Sequence, residues 1–152
     1  MNYRRFLKLF AALAVSGSRL VWAQRTVSVV VPNDWISGTG TAAINLVSQG
    51  DENTLSFSVT FNSAVLRYDG YTRGTGATEA TIILNSLQAS QGKVGFLAGL
   101  SPDVAFSAGS KQLVVLNFTA LAPAATETIA FGDSPARREI WDVLGNQLVA
   151  AT

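Results

Sequence analysis

The sequence predicts an all-β domain, an antiparallel sandwich or barrel, and three observations carry that prediction. Short apolar segments recur at intervals of roughly ten residues, separated by Gly, Ser, Asn and Pro turns. Leu55, Phe57, Val59 and Phe61 alternate strictly with Thr54, Ser56, Ser58 and Thr60, the period of a strand with one side in a core and one in water. Long Glu/Lys/Leu stretches with helical spacing are missing. A chain of 152 residues suits one such domain.

The first 23 residues read as an address rather than a fold element. Arg4, Arg5 and Lys8 precede the apolar run Leu9 to Val15, Ser16-Gly17-Ser18 breaks it, and Val21-Trp22-Ala23 ends in the small residue a cleavage site wants. This is the layout of a bacterial secretory signal, and the run is too short to anchor a helix across a bilayer. Lys8 falls where a twin-arginine signal wants an apolar residue, so general secretion is expected. No Cys follows the run, which excludes a lipoprotein anchor. The expected destination is the exterior or surface of a bacterial cell, with residues 24–152 as the mature domain.

Along that domain, Val27 to Val31 form a first strand that ends at Pro32, where a backbone donor is lost. A loop over 33–40 leads to a second strand, Thr41 to Ser48, and a polar turn spans Gln49 to Asn53. Thr54 to Phe61 is the third strand. After Asn62-Ser63 comes Ala64 to Tyr68, and Asp69 to Thr78, with its three glycines, reads as a loop or irregular strand. Ala80 to Leu87, Val94 to Gly99, Leu113 to Leu121, Thr128 to Phe131 and Glu139 to Val143 complete about eight or nine strands. Trp141, in an apolar strand, is expected in the core. No internal repeat and no linker is visible.

Composition excludes several function classes. Removing the first 23 residues leaves seven basic residues against ten acidic ones, a net charge of −3. A nucleic-acid binder needs a clustered basic face, and none is present in the sequence. With 48% hydrophobic and 14% charged residues, the chain can bury a core and is not of disordered type. Cys and His are both absent. There is no disulfide framework, no Ser-His-Asp or Cys-His catalysis, and no imidazole metal ligand.

Four segments, in this order and spacing, resemble the cohesin family of secreted bacterial modules. Asn53 to Leu66 is similar to its alternating strand, tight turn and following Val-Leu; Gly92 to Leu97 to its central strand; Ala108 to Ala120 to its penultimate core strand; and Phe131 to Pro135 with Arg138-Glu139 to a tail of cohesin-like domains. The resemblance spans roughly residues 25–150. It implies a nine-stranded jelly-roll sandwich and a non-catalytic binding module, whose partner would be a dockerin-type protein domain or a polysaccharide. The family's aromatic-Asp-Pro turn reads Phe61-Asn62-Ser63 here. Thr54 and Ser56 stand where dockerin-binding cohesins present Asn and Asp, and a hydroxyl supplies no charged acceptor. The family also ends in a closing strand; here Gln147 to Thr152 is either a shortened version, or the strand is missing and an open edge invites pairing with another chain, as in a filament subunit.

Candidate sites follow. Thr54, Ser56, Ser58 and Thr60 form either a solvated strand face or a flat, hydrogen-bonding surface for a partner. Trp35 and Tyr71, in Gly-rich segments, are candidates for stacking on sugar rings, against the alternative that they anchor loops. Asp51, Glu52, Asp69, Asp103, Asp133, Glu139 and Asp142 sit mostly in predicted turns, where acids are common for local reasons. They lack calcium-loop spacing, and no catalytic pair, metal or cofactor is indicated. The mature form is not expected to engage a membrane.

Overall fold

A computed structural model describes residues 24–31, 38–121 and 129–150. Among the described residues ten strands form two facing antiparallel sheets. They are β1 (Thr26–Val30), β2 (Gly38–Ser48), β3 (Glu52–Thr60), β4 (Leu66–Arg73), β5 (Thr81–Asn85), β6 (Lys93–Gly99), β7 (Gly109–Ala120), β8 (Ala130–Gly132), β9 (Glu139–Asp142) and β10 (Gln147–Leu148). The first sheet has the order β1-β2-β7-β4. The second runs β10-β9-β3-β6-β5, with β8 also pairing β3. This is the jelly-roll sandwich that the sequence predicts. Two single 3₁₀ turns, Thr75–Ala77 and Ala89–Gln91, are the helical segments among the described residues. Among the described residues no helix is long and apolar enough to cross a membrane.

The alternation of apolar residues builds the core directly. Leu55, Phe57 and Val59 of β3 and Val94, Phe96 and Ala98 of β6 point inward, against Ala42, Ile44 and Leu46 of β2 and Leu116 and Phe118 of β7. Aromatic rings carry much of the contact. Phe57 stacks on Phe96 at 5.4 Å within one sheet. Phe61 and Tyr68 meet the Phe118 ring edgewise, at 5.1 and 5.7 Å. Tyr71 reaches across the sandwich to Phe96 at 6.0 Å, nearly perpendicular.

Two expectations are corrected by the tertiary structure, and a third, left open between a loop and an irregular strand, is decided for residues 69–73 as the strand. Residues 69–73 continue β4, a strand whose pairing with β7 shifts register between Tyr68 and Gly70. Gly70, one of the three glycines that suggest a loop, sits at that irregularity with φ 137°. Glu52 is not part of an exposed polar turn; it opens β3 and is fully buried. Trp141 is not a core residue. It pairs with Thr54, on the outer side of the second sheet, while its neighbour Ile140 turns inward and is buried.

The end of the chain is closed by a short strand. Gln147 and Leu148 pair with Trp141 and Ile140, and the intervening turn is held by Asp142, whose carboxylate accepts the backbone N–H of Leu144 and Asn146. The Asn146 amide, first, and those N–H groups hold the Asp142 carboxyl below its ordinary range. Beyond β10, the Val149 carbonyl accepts a hydrogen bond from Arg25 at 3.1 Å. Of the two readings made from sequence, the shortened last strand is the one observed, and β10 forms that rim of the second sheet.

Candidate functional site

The outer face of the second sheet is where a partner surface is expected, and strand register fixes its layout. One row across four strands runs Trp141, Thr54, Gly99, Thr81; the next runs Glu139, Ser56, Leu97, Ile83. A third row places Gly132, Ser58, Gly95 and Asn85 side by side. The first two rows are accessible: Ile83 is 57% exposed, and Leu97, Trp141, Thr54 and Ser56 are half-buried. With no side chain at Gly99 and small hydroxyls at its flanks, these rows form a floor of small side chains, with apolar Leu97 within it and Ile83 and Trp141 at its two ends.

The third row is roofed by the chain itself. The Ser58 hydroxyl donates to the Ala136 carbonyl and accepts the Ala136 N–H, both at 2.7 Å. Ser56 donates to the Arg137 carbonyl at 2.6 Å. Gly95 makes the close approach possible, since a Cβ there would lie 3.0 Å from Pro135 and 3.1 Å from Ala136. Segment 133–138 therefore lies as a flap on the sheet, with Arg137 and Arg138 exposed.

Of the four predicted partner-facing hydroxyls, Ser58 is corrected outright: it is fully buried under the flap and offers nothing to a partner. The hydroxyl alternation marks the outer face correctly, but a later segment of the chain covers half of it. Thr60 bonds the Ala130 carbonyl at 3.3 Å on the side of β8. Thr54 stands on the accessible floor, donating to Asn53 Oδ1 at 2.7 Å, and Ser56 borders the flap, half-buried, with its hydroxyl given to the Arg137 carbonyl. Reading by alternation alone missed Leu97 and Ile83; for Leu97 the available signal was its place between Gly95 and Gly99 on the face opposite Val94, Phe96 and Ala98.

The sugar-stacking candidates are placed differently. Tyr71 is half-buried, and its ring packs against Phe96 between the sheets. Trp35 lies outside the described residues. Tyr68, beside it in β4, has a buried hydroxyl with no hydrogen-bond partner among the described residues. Burial first, and Tyr71 second, push that phenol above its ordinary value.

A buried ion-pair cluster, not foreseen as such, holds the opposite end of β3. The Glu52 carboxylate accepts Arg25 Nε and Ser48 Oγ at 2.5 Å each, and the Gln49 N–H at 3.0 Å. Arg25 also reaches Asp51 at 2.6 Å. Burial works to raise the Glu52 carboxyl, but these hydrogen bonds prevail and hold it at about 2. Arg25 is raised in turn: burial lowers it, and Asp51 and Glu52 outweigh that. With no buried side-chain polar atom of the cluster left without a partner among the described residues, it is built to hold segments together.

On the outer face of the first sheet, Asp69 accepts Arg67 Nε at 2.7 Å and Thr119 Oγ1 at 2.6 Å. The Thr119 bond, followed by Arg67, lowers its carboxyl. Asp69 lines a depression of about 300 Å³ with Thr39, Gly40, Thr41, Asn117 and Phe118.

This architecture is that of the cohesin modules. A cohesin of scaffoldin B from Acetivibrio cellulolyticus, solved in complex with a Cel5 dockerin mutant, superposes with a TM-score of 0.69 at 16% identity, covering 85% of this chain and 94% of that one. A non-cellulosomal cohesin from the archaeon Archaeoglobus fulgidus gives 0.68 at 11% identity, over 85% of this chain and 86% of that one. The cohesin module of a family 33 glycoside hydrolase from Clostridium perfringens gives 0.65 at 12% identity, over 82% and 87%. No protein-family model and no curated protein sequence matches the chain. The chain shares the fold of these cohesin modules.

Proposed function

We propose that this is a non-catalytic docking module that works outside the cytoplasm and binds a dockerin-type protein domain through the outer face of its second sheet. The supporting observation is the two-row floor of Trp141, Thr54, Gly99, Thr81, Glu139, Ser56, Leu97 and Ile83. It is presented on paired strands and mixes apolar anchors with hydroxyls, the composition of a protein interface core with a polar surround. The dockerin-bound Acetivibrio cohesin of the same fold supports that class of partner. The N-terminal 23 residues, read as a secretory signal, support the location.

Titration calorimetry against a panel of dockerin domains tests the reading. Binding by one member, weakened at least about tenfold by Leu97→Asp with circular dichroism unchanged, supports it. Binding that is indifferent to Leu97→Asp rejects the face. A polysaccharide partner is the second reading. It rests on the depression beside Asp69, where hydroxyl, amide and carboxylate groups line one hollow. Affinity electrophoresis in soluble polysaccharides, with Asn117→Ala as the variant, tests that reading.

A further inference from the structure

The sandwich has strands at the rims of both sheets, and a rim strand presents unpaired backbone groups that can template pairing with another chain. Most rims here carry a recognised safeguard. In sequence, β1 lies between Arg25 and Pro32, and β4 bears Arg67, Asp69 and Arg73 and shifts register at Gly70. On one side of the second sheet, β8 and β10 are only three and two residues long. Strand β5 on the other side is different. It has five residues, Thr81-Ile82-Ile83-Leu84-Asn85, with no charge, no proline and no register shift against β6. From Ala80 to Gly92 the chain holds no charged side chain at all. Ile83 is 57% exposed and Leu87 is 90% exposed.

The five residues are also self-complementary. In an antiparallel pair of two β5 strands centred on Ile83, Thr81 faces Asn85, Ile82 faces Leu84 and Ile83 faces its own copy. Thr81, Ile83 and Asn85 are exposed on the outer side, while Ile82 and Leu84 are half-buried toward the core. The pairing sets polar against polar outside and apolar against apolar inside. A one-residue slip would oppose inward to outward positions and is rejected by the pleat.

We propose that β5 is the interface of a symmetric dimer of this chain, two copies joining their β5 strands about a two-fold axis at Ile83 and fusing their second sheets into one. A contact this small falls well below the roughly 1,600 Å² of a stable complex, so the dimer is weak and concentration-dependent. It would set two docking faces side by side on one continuous sheet.

Sedimentation velocity of the purified protein, from low micromolar to submillimolar, tests this. The expected result is a mass rising from monomer toward dimer, with β5 amides gaining protection from hydrogen exchange over the same range. Ile83→Lys places two ammonium groups across the axis and should weaken association at least about tenfold. Thr72→Lys, which adds the same charge to the exposed face of the other sheet, should leave it unchanged. A monomer at every concentration overturns the proposal, as does association untouched by Ile83→Lys. So does an open series of larger species, because an isologous edge closes at two.

Discussion

Strand β3 is secured along its length by two contrasting devices. At its first residue, Glu52 sits in a buried ionic cluster with Arg25, Ser48 and Asp51. Farther along, Ser56 and Ser58 latch the 133–138 flap by neutral bonds to backbone groups. Both join segments distant in sequence, but their energetics differ in kind. A buried charge that loses its partner stays uncompensated, whereas a lost hydroxyl exposes its partners only to the smaller cost of an unmet hydrogen bond. The ionic end is therefore a point of high consequence. The hydroxyl end is a fastening that can be altered without undoing the sandwich, and it is this end that borders the proposed docking floor.

The largest effect that would test the contrast is at Arg25, whose side chain is 8% exposed. Arg25→Ala should lower unfolding free energy by about 3–5 kcal/mol in chemical denaturation, because Glu52 is left buried and unpaired. A loss no greater than at the hydroxyl end would break the comparison.

Acid sharpens it next. The Glu52 carboxyl lies at about 2 in the fold against an ordinary 4.5. Because the folded value is the lower one, its stabilisation is complete above about 4.5 and is lost as pH falls from there toward 2. The amount at stake is on the order of 3 kcal/mol. Denaturation midpoints should fall across that window, and Glu52→Gln should remove this component of the slope.

The smallest effect belongs to the latch. Ser58→Ala leaves both the N–H and the carbonyl of Ala136 without their partner, at a cost of about 1–3 kcal/mol. Hydrogen exchange should rise at Ala136 and its neighbours while β2 and β7 keep their protection. A uniform rise across both sheets would show that the flap is integral to the sandwich.

Much of the fold could be read in the residues. The period-two alternation of Leu55, Phe57 and Val59 assigned β3 and its inward face, because a pleated strand sends successive side chains to opposite sides whatever its neighbours do. The Asn62 turn was harder to read. Without the family's Asp and Pro, Asn62 still accepts the Ala64 N–H at 3.0 Å through its side-chain oxygen and keeps the turn closed. The site was only partly legible. Alternation named Thr54, which stands on the open floor, and Ser56, which borders the flap, together with Ser58, which is covered. Nothing local in Thr-Leu-Ser-Phe-Ser tells a solvated hydroxyl from one under a flap that arrives 78 residues later.

By itself, the sequence determined the class, an antiparallel β-sandwich or barrel, and for β3 which residues face inward and which outward. Local periodicity and turn chemistry are properties of neighbouring residues. Only the tertiary structure decided that Glu52 is buried with Arg25, that Trp141 faces outward, and that β5 is left as an unguarded rim. Each depends on which distant segment arrives alongside. Strand pairing and desolvation, which settle that, are set by contacts between residues far apart in the chain.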